Sequence, residues 1–372
     1  MASSALVLAL RLGRRSASAA IFTDNAVMFA HTLARREYDR AGAALDVRAA
    51  QAVVERCIDD ALGAAQAPMG SIAAAGVCLH RPQQTDCADT EVYHAALETL
   101  ARALPAVARD KWPALAAAAW APLASDRAAG TVGAGCIDAT RMSLHLGADC
   151  SARVLAPDDA AVEMEGLWRE PIGGGLAVYG AGPAPGGDWV DRSLETVDLP
   201  LDAEEALAAR TPDCHGLTLF PPTHAGAPGN GSIAGLQLDT SALDFLQAAM
   251  ETVAMNLAGL RERLRAAFPS ACEVVASGSE IDQSMLWANM LADALGMPIS
   301  LAEEPSAPER GAAILAMVTA GMLSHVGAAP APLGPLVRHD PSLHAIFLRA
   351  IERREALQTR MRAAAYGSVS PV

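Results

Sequence analysis

The sequence predicts an α/β protein built as two lobes. Three observations carry this. The chain opens strand, strand, strand, helix, strand, helix. From Trp120 its character changes, with glycines punctuating short strands at Gly130, Gly133, Gly135, Gly147, Gly173–Gly175, Gly180, Gly182, Gly186 and Gly187. A second mixed block of helices and short strands then runs to the C-terminus.

Taken in order, Ala5–Leu10 is apolar, Gly13–Ser16 reads as a turn, Ala17–Phe22 as a small apolar strand, Thr23–Asn25 as a turn and Val27–Thr32 as a third strand. Leu45–Gln66 is a helix with Asp46 near its start, because Val53, Cys57, Ile58 and Leu62 recur at helical spacing. Ile72–Leu79 is a buried strand. The polar stretch Arg81–Thr90 leads to a helix over Val92–Arg109. Ser143–Leu146 and Gly175–Tyr179 are strands, and Thr211–Gly235 reads as loop. From Ser241, Leu243, Leu246, Met250, Val253, Leu257, Leu260 and Leu264 trace one buried helical face, which leaves Glu251, Arg261 and Arg263 off it. Glu273–Ala276 is a strand, Ser277–Glu280 a turn, and a helix follows through Leu295. Ile299–Leu301 is a short strand. Ala307–Ala320 is a helix whose small residues suit close packing, and Asp340–Ala365 is a long terminal helix.

Composition removes several classes of function. With 52% hydrophobic residues the chain is not disordered. A net charge of −14 with a single lysine, Lys111, gives no basic footprint for nucleic acid. No apolar run approaches the roughly 20 residues that a bilayer requires. Arginines follow the apolar N-terminal segment instead of preceding it, so it reads as a strand and not as a secretory signal. The seven cysteines are scattered without C-x-x-C spacing, which suggests small buried residues such as Cys78 and Cys136 in a reducing cytoplasm. No Walker loop, G-x-G-x-x-G, H-E-x-x-H or G-x-S-x-G pattern occurs. His215 and His224 flank a loop, and no carboxylate in sequence is set against them, which favours a surface or packing role.

Three segments carry more information. Gly231–Leu236 followed after seven residues by Asp244–Glu251 is a turn and an amphipathic helix. Ala276-Ser277-Gly278-Ser279-Glu280 precedes a helix with Trp287 and Leu291-Ala292-Asp293, then Gly296-Met297-Pro298. Ser125-Asp126-Arg127-Ala128-Ala129 runs into Val132-Gly133-Ala134-Gly135, where Asp126 on physical grounds reads as a helix N-cap. Together these segments resemble the FGGY carbohydrate kinases, nearest their gluconokinase-like branch. The resemblance implies a two-lobed fold of the actin/hexokinase/Hsp70 (ribonuclease H-like) type, with a shortened N-terminal lobe over 1–135 and a C-terminal lobe over 136–372. It also implies ATP-dependent phosphoryl transfer to a sugar or sugar acid, with ATP and Mg²⁺ as cofactors. Asp126 would be the catalytic base. Gly13, Ser16, Gly147, Gly278 and Ser279 would contact the nucleotide, with a glycine at 278 admitting close backbone approach. The implied partners are a small-molecule sugar and a nucleotide, with neither nucleic acid nor membrane. A homodimer is compatible with the resemblance.

The sequence departs from the family in places that matter chemically. Arg11 stands where the family carries the Asp that organises the metal, and Arg14 where it carries Thr; arginine binds phosphate but cannot ligate Mg²⁺. The second phosphate loop reads Leu146-Gly147-Ala148-Asp149-Cys150, with a carboxylate where the family has a hydroxyl. Between His80 and Pro122 there is room for little more than a helix and a loop, where the family has a long sugar-binding section. Two functions therefore remain: a carbohydrate kinase acting on a gluconate-like substrate, or a family member that has lost catalysis and serves as a binding or regulatory protein. The residues leave open which sugar is bound and whether Arg11 and Arg14 compensate for the altered loops.

Overall fold

A computed structural model describes residues 5–13, 16–29, 32–38, 47–80, 88–162, 165–195, 198–221, 231–303 and 306–367. Arg14, Asp46, Cys87 and His224 lie outside the described residues. The first half contains β1 (Leu6–Leu12), β2 (Ser16–Phe22), β3 (Ala34–Glu37), α1 (Val47–Ala64), β4 (Ile72–Leu79), α2 (Ala88–Lys111), β5 (Ala119–Trp120) and β6 (Ala124–Ser125), and α3 (Asp126–Gly133) follows. The second half contains β7 (Arg141–Leu146), β8 (Asp149–Pro157), β9 (Leu167–Gly173), β10 (Leu176–Pro185), α4 (Gly187–Leu194), α5 (Ala203–Ala208), β11 (Thr218–Phe220), β12 (Ser232–Ala234) and α6 (Ala242–Ala267). It ends with β13 (Glu273–Ser277), α7 (Ser279–Gln283), α8 (Met285–Leu295), β14 (Ile299–Ala302), α9 (Ala307–Thr319), β15 (Leu333–Val337) and α10 (Pro341–Gly367).

Two sheets organise these elements. The first has the order β3-β2-β1-β4-β5, with β6 also on β4. β1 and β2 are antiparallel, while β4 runs parallel to β1 and puts Cys78 opposite Arg11. The second has the order β15-β14-β13-β7-β8-β10-β9, and β13 runs parallel to β7 with Ser277 opposite His145. Parallel neighbours need a crossover, and α1 supplies the one between β2 and β4.

β1 is buried on both faces, so its residues divide by parity. Leu6, Leu8, Leu10 and Leu12 pack with Val53, Cys57, Ile58, Leu97 and Leu104 of α1 and α2. Val7 and Ala9 face the other way, onto Ala128 and Val132 of α3 and Ala312 and Ala316 of α9. Leu155 and Val178 of the second sheet join that same cluster. α3 and α9 therefore lie between the sheets, and α6 and α8 cover the second sheet's other face through Leu257, Leu264 and Leu291. The alanine-rich face of α9 has a structural use. A Cβ at Gly133 would run into the Ala307 carbonyl, one at Gly311 into the Ala129 carbonyl, and one at Gly76 into the Ala312 carbonyl. Only bare backbone lets α3, α9 and β4 approach this closely.

Several expectations are corrected. The third strand is Ala34–Glu37; of the predicted Val27–Thr32 strand, residues 30 and 31 lie outside the described residues, and the described part contributes a bridge between Met28 and Phe22. β8 and β9, the short helices α4 and α5, and the β11–β12 pair within the predicted loop are additions. Glu251 is 1% exposed, so it lies inside and not off the buried face. α6 starts where the sequence predicts: Ser241 Oγ accepts the Asp244 N–H at 3.3 Å and Asp244 Oδ2 accepts the Ser241 N–H at 2.7 Å, a reciprocal cap worth about 1 kcal/mol. Cys78 and Cys136 are buried and free. Among the described residues no helix is long and apolar enough to cross a membrane.

Candidate functional site

The candidate site is built at the ends of the two central parallel pairs, where α/β sheets commonly hold ligands. Arg11 sits near the end of β1, and His80 directly follows β4, its N–H donating to Leu12 O at 2.8 Å. Asp126 opens α3. Its neighbour Ser125 is the cap, accepting the Ala128 N–H on Oγ at 3.0 Å, so Asp126 is the first helical residue and not the N-cap. Being released from capping, its carboxylate is available to other partners. Oδ2 accepts from Arg11 Nη2 at 3.3 Å and faces His80 Nδ1 at 3.2 Å, whereas Oδ1 is buried with no hydrogen-bond partner.

These contacts set the protonation states. Burial pushes the Asp126 carboxyl upward, but the hydrogen bond and charge of His80, with Arg11 and Arg153, outweigh it and hold Asp126 well below the usual carboxylate range. Burial works against charge on His80, and the Asp126 contact overcomes it and raises His80. On the facing strand end, His145 is pushed down to about 3 by burial and by Arg153, so it is neutral. Asp126 is thus a fixed anion beside a readily protonated imidazole and a permanently charged guanidinium.

α3 is bolted to the second sheet around this point. Glu170 on β9 accepts the Ser125 hydroxyl at 2.6 Å and its N–H at 3.3 Å. The Arg127 guanidinium lies 5.1 Å from the Trp168 ring centroid, and Arg153 Nη1 donates to Arg127 O at 3.3 Å.

The sequence-predicted nucleotide residues form two groups. Gly13 and Ser16 close the β1–β2 turn, and the Gly13 N–H is spent on Ser16 O at 2.8 Å. Gly147, Gly278 and Ser279 come together at the ends of β7 and β13. A Cβ at Gly147 would lie 3.4 Å from Ser279 Oγ, and one at Gly278, where φ is +118°, would run into the Leu146 carbonyl. Gly278 is required by the neighbouring strand's backbone. The Gly147 N–H turns back to Asp149 O at 3.0 Å, and the first two amides of α4 donate to Gly147 O and Ala148 O. Carboxylates surround this turn. Glu280 is raised, chiefly by burial, with Asp188 and Asp191 adding to it, and Asp149 is likewise raised by burial.

Sequence reasoning missed His80, His145, Arg153 and Glu170. The two histidines each stand at the end of a correctly predicted strand, a position that could have singled them out; the others are brought in by tertiary packing alone.

Away from this site, Asp213, His215 and Glu251 bring metal-competent atoms together. This corrects the reading of His215, since Glu251 Oε2 lies 3.1 Å from its Nε2. The donors are already used. Leu217 N–H donates to His215 Nδ1, Gln247 and the Asp213 N–H donate to Glu251, and Arg353 holds both Asp213 oxygens. With Arg353 neutralising Asp213, the group is a clasp joining α6, α10 and the segment before β11. A separate groove of about 1150 Å³ between α5, α6, α8 and α10, floored by Leu207, Leu286 and Phe347, contains none of the sequence-predicted site residues.

The fold is a mixed α/β architecture of two main sheets with helices between and outside them, and it is similar to that of known carbohydrate kinases. Residues 190–320 match the C-terminal domain of the FGGY family of carbohydrate kinases. A glycerol kinase of Ectopseudomonas mendocina (strain ymp) is 26% identical over 260 residues, covering 65% of this chain and 48% of that protein. The chain thus spans about half the length of the curated relative it matches. Among solved structures, gluconate kinase from Lactobacillus acidophilus superposes with a TM-score of 0.74 at 16% identity, over 99% of this chain and 100% of that one. Ligand-bound xylulose kinase from the same organism gives 0.74 at 15% identity, over 98% and 100%. Plasmodium falciparum glycerol kinase with ADP gives 0.65 at 9% identity, over 99% of each chain. Residues 190–320 of the chain thus resemble the C-terminal domain of the FGGY carbohydrate kinases, and the chain has the mixed α/β, actin/hexokinase-like fold of these structures.

Proposed function

We propose that this chain is a cytoplasmic, non-catalytic FGGY protein whose cleft, between lobes 1–135 and 136–372, holds a sugar or sugar acid without phosphorylating it. The observation that carries this reading is the pairing of the Asp126 carboxylate with Arg11 and His80. A general base is effective when its affinity for a proton is near the working pH. A carboxylate held far below its usual range by two cationic partners is a poor base. The surroundings do not suit Mg-ATP either. Mg²⁺ demands oxygen ligands, and Arg11 puts a fixed cation beside Asp126. The amides of Gly13 and Gly147 are turned inward, and Glu280, Asp149 and their acidic neighbours oppose phosphate.

One observation favours kinase activity as a second reading. Asp126 Oδ1 is unpartnered, so a sugar hydroxyl could donate to it, with Gly13, Ser16, Gly147, Gly278 and Ser279 lining the nucleotide. Calorimetry with gluconate, xylulose and glycerol, beside an assay for ADP formation, separates the two. The proposal expects saturable binding of one of these, lost in Asp126→Asn, without ADP. ADP formation abolished by Asp126→Asn establishes the kinase instead, and absence of any binding removes the ligand-holding role.

A further inference from the structure

The groove of about 1150 Å³ between α5, α6, α8 and α10 shares no residue with the Arg11–His80–Asp126 site. Its lining combines two chemistries. Leu207 and Phe347 are buried in its walls, while Leu201 and Met285 stand beside it 110% and 52% exposed. Large apolar side chains left in water around a groove mark a surface that something else covers.

The charged lining is mostly of one sign. Asp202, Glu204, Glu205, Asp293 and Asp340 all line the groove. Of the two lining arginines among the described residues, Arg210 is held by Asp244, so exposed Arg338 is the cation left to face these carboxylates. Asp293 is 7% exposed, and its Oδ1 accepts the Asp340 N–H at 2.7 Å. Burial chiefly raises its carboxyl, with Asp340 adding to it. A carboxylate set in an apolar groove is stabilised by a cation brought to it, because water and salt screen such a pair little.

Size narrows the occupant. Small-molecule sites hold roughly 300–1,000 Å³. Two turns of an α-helix, about 11 Å long and about 10–12 Å across, fill on the order of 1,000 Å³. A helix laid in such a groove presents apolar residues three and four apart to its wall. An acidic helix is repelled by the carboxylates, whereas lysine or arginine beside the apolar stripe complements them. A second copy of this chain, at a net charge of −14, brings like charge to the same rim.

We propose that this groove docks a basic amphipathic helix of a partner protein, with its apolar stripe on Leu201, Met285 and Leu286 and its cations on Asp202, Glu205 and Asp293. The groove is separate from the sugar-holding site, so either reading can fail without the other.

The test uses the full-length protein and a fluorescein-labelled designed peptide about five helical turns long, with leucines three and four apart and lysines elsewhere. Two comparators keep its length: one spreads the same leucines evenly around the helix, and the other replaces lysine with glutamate. Fluorescence anisotropy should show saturable, one-to-one binding of the first peptide alone. Asp202→Arg with Glu205→Arg should weaken it about tenfold or more. Asp24→Arg with Asp110→Arg, an equal change of charge outside the groove, should alter it by less than about twofold. Leu201→Ser with Met285→Ser should also weaken it. All six positions are exposed, so these variants keep the fold. Absence of saturable binding, equal binding of either comparator, or equal loss in the two charge variants would overturn the proposal. So would a dimer in sedimentation equilibrium that Asp202→Arg with Glu205→Arg dissociates, since the groove would then belong to a second copy.

Discussion

Asp126 and His80 make a pair whose strength depends on pH in a calculable direction. The His80 value is raised above its ordinary 6.5 in the folded protein. Its contribution to stability is therefore complete below that value and is lost as pH rises through the higher folded value. Asp126 is lowered from 3.8, so its contribution is present above that value and is lost as pH falls below it. Thermal melts of wild type and His80→Gln should differ most in mildly acidic solution and converge toward alkaline pH. A gap that is constant with pH would show that the pair does not form. Some of this residue-scale chemistry is legible in the sequence. Asp126 and the loss of the expected Asp at position 11 are visible, because a motif makes their positions comparable. That Arg11 turns onto Asp126 is not visible, since the two are brought together only when β1 meets the start of α3. Glu251 shows the same limit. Its helical phase suggests solvent, but the segment holding Asp213 and His215 folds over it and buries it.

At the scale of elements, the crossing of α3 and α9 and the clasp on α6 make separate demands. Gly311→Ala should destabilise by about 3 kcal/mol or more, because the added methyl meets the Ala129 backbone and packed helices must part to admit it. Gly259→Ala is the internal comparison: it is an exposed site within α6 with nothing near its Cβ, and should stabilise by about 0.5–1 kcal/mol. Urea unfolding of both variants measures the contrast, and equal effects would contradict the crossing. Glu251→Ala should cost about 3–5 kcal/mol, since it strands buried donors on His215, Gln247 and Asp213. Zn²⁺ should not raise the wild-type Tm if the clasp is held by these hydrogen bonds. The long periodic helices α6, α9 and α10 are legible because their apolar repeats run for several turns. The strands β8 and β9 and the short helices α4 and α5 are not, because their burial is decided by neighbours remote in sequence.

For the whole molecule, two sheets hold α3 and α9 between them, and the ion network of Arg11, His80 and Asp126 lies where the ends of β1 and β4 meet the start of α3. The general architecture can be read from the order of elements and the family resemblance. The chemistry of the network cannot, because it depends on which of several charged side chains meet after folding. The pairing of Asp126 with Arg11 and His80 predicts a protein that does not transfer phosphate. The most direct measurement is ADP formation from Mg-ATP by the full-length protein, in the presence of gluconate, xylulose and glycerol, compared with Asp126→Asn. Rates equal to the no-protein background in both proteins are predicted. ADP formed by the wild type and abolished in Asp126→Asn would show that the paired carboxylate still serves as a base.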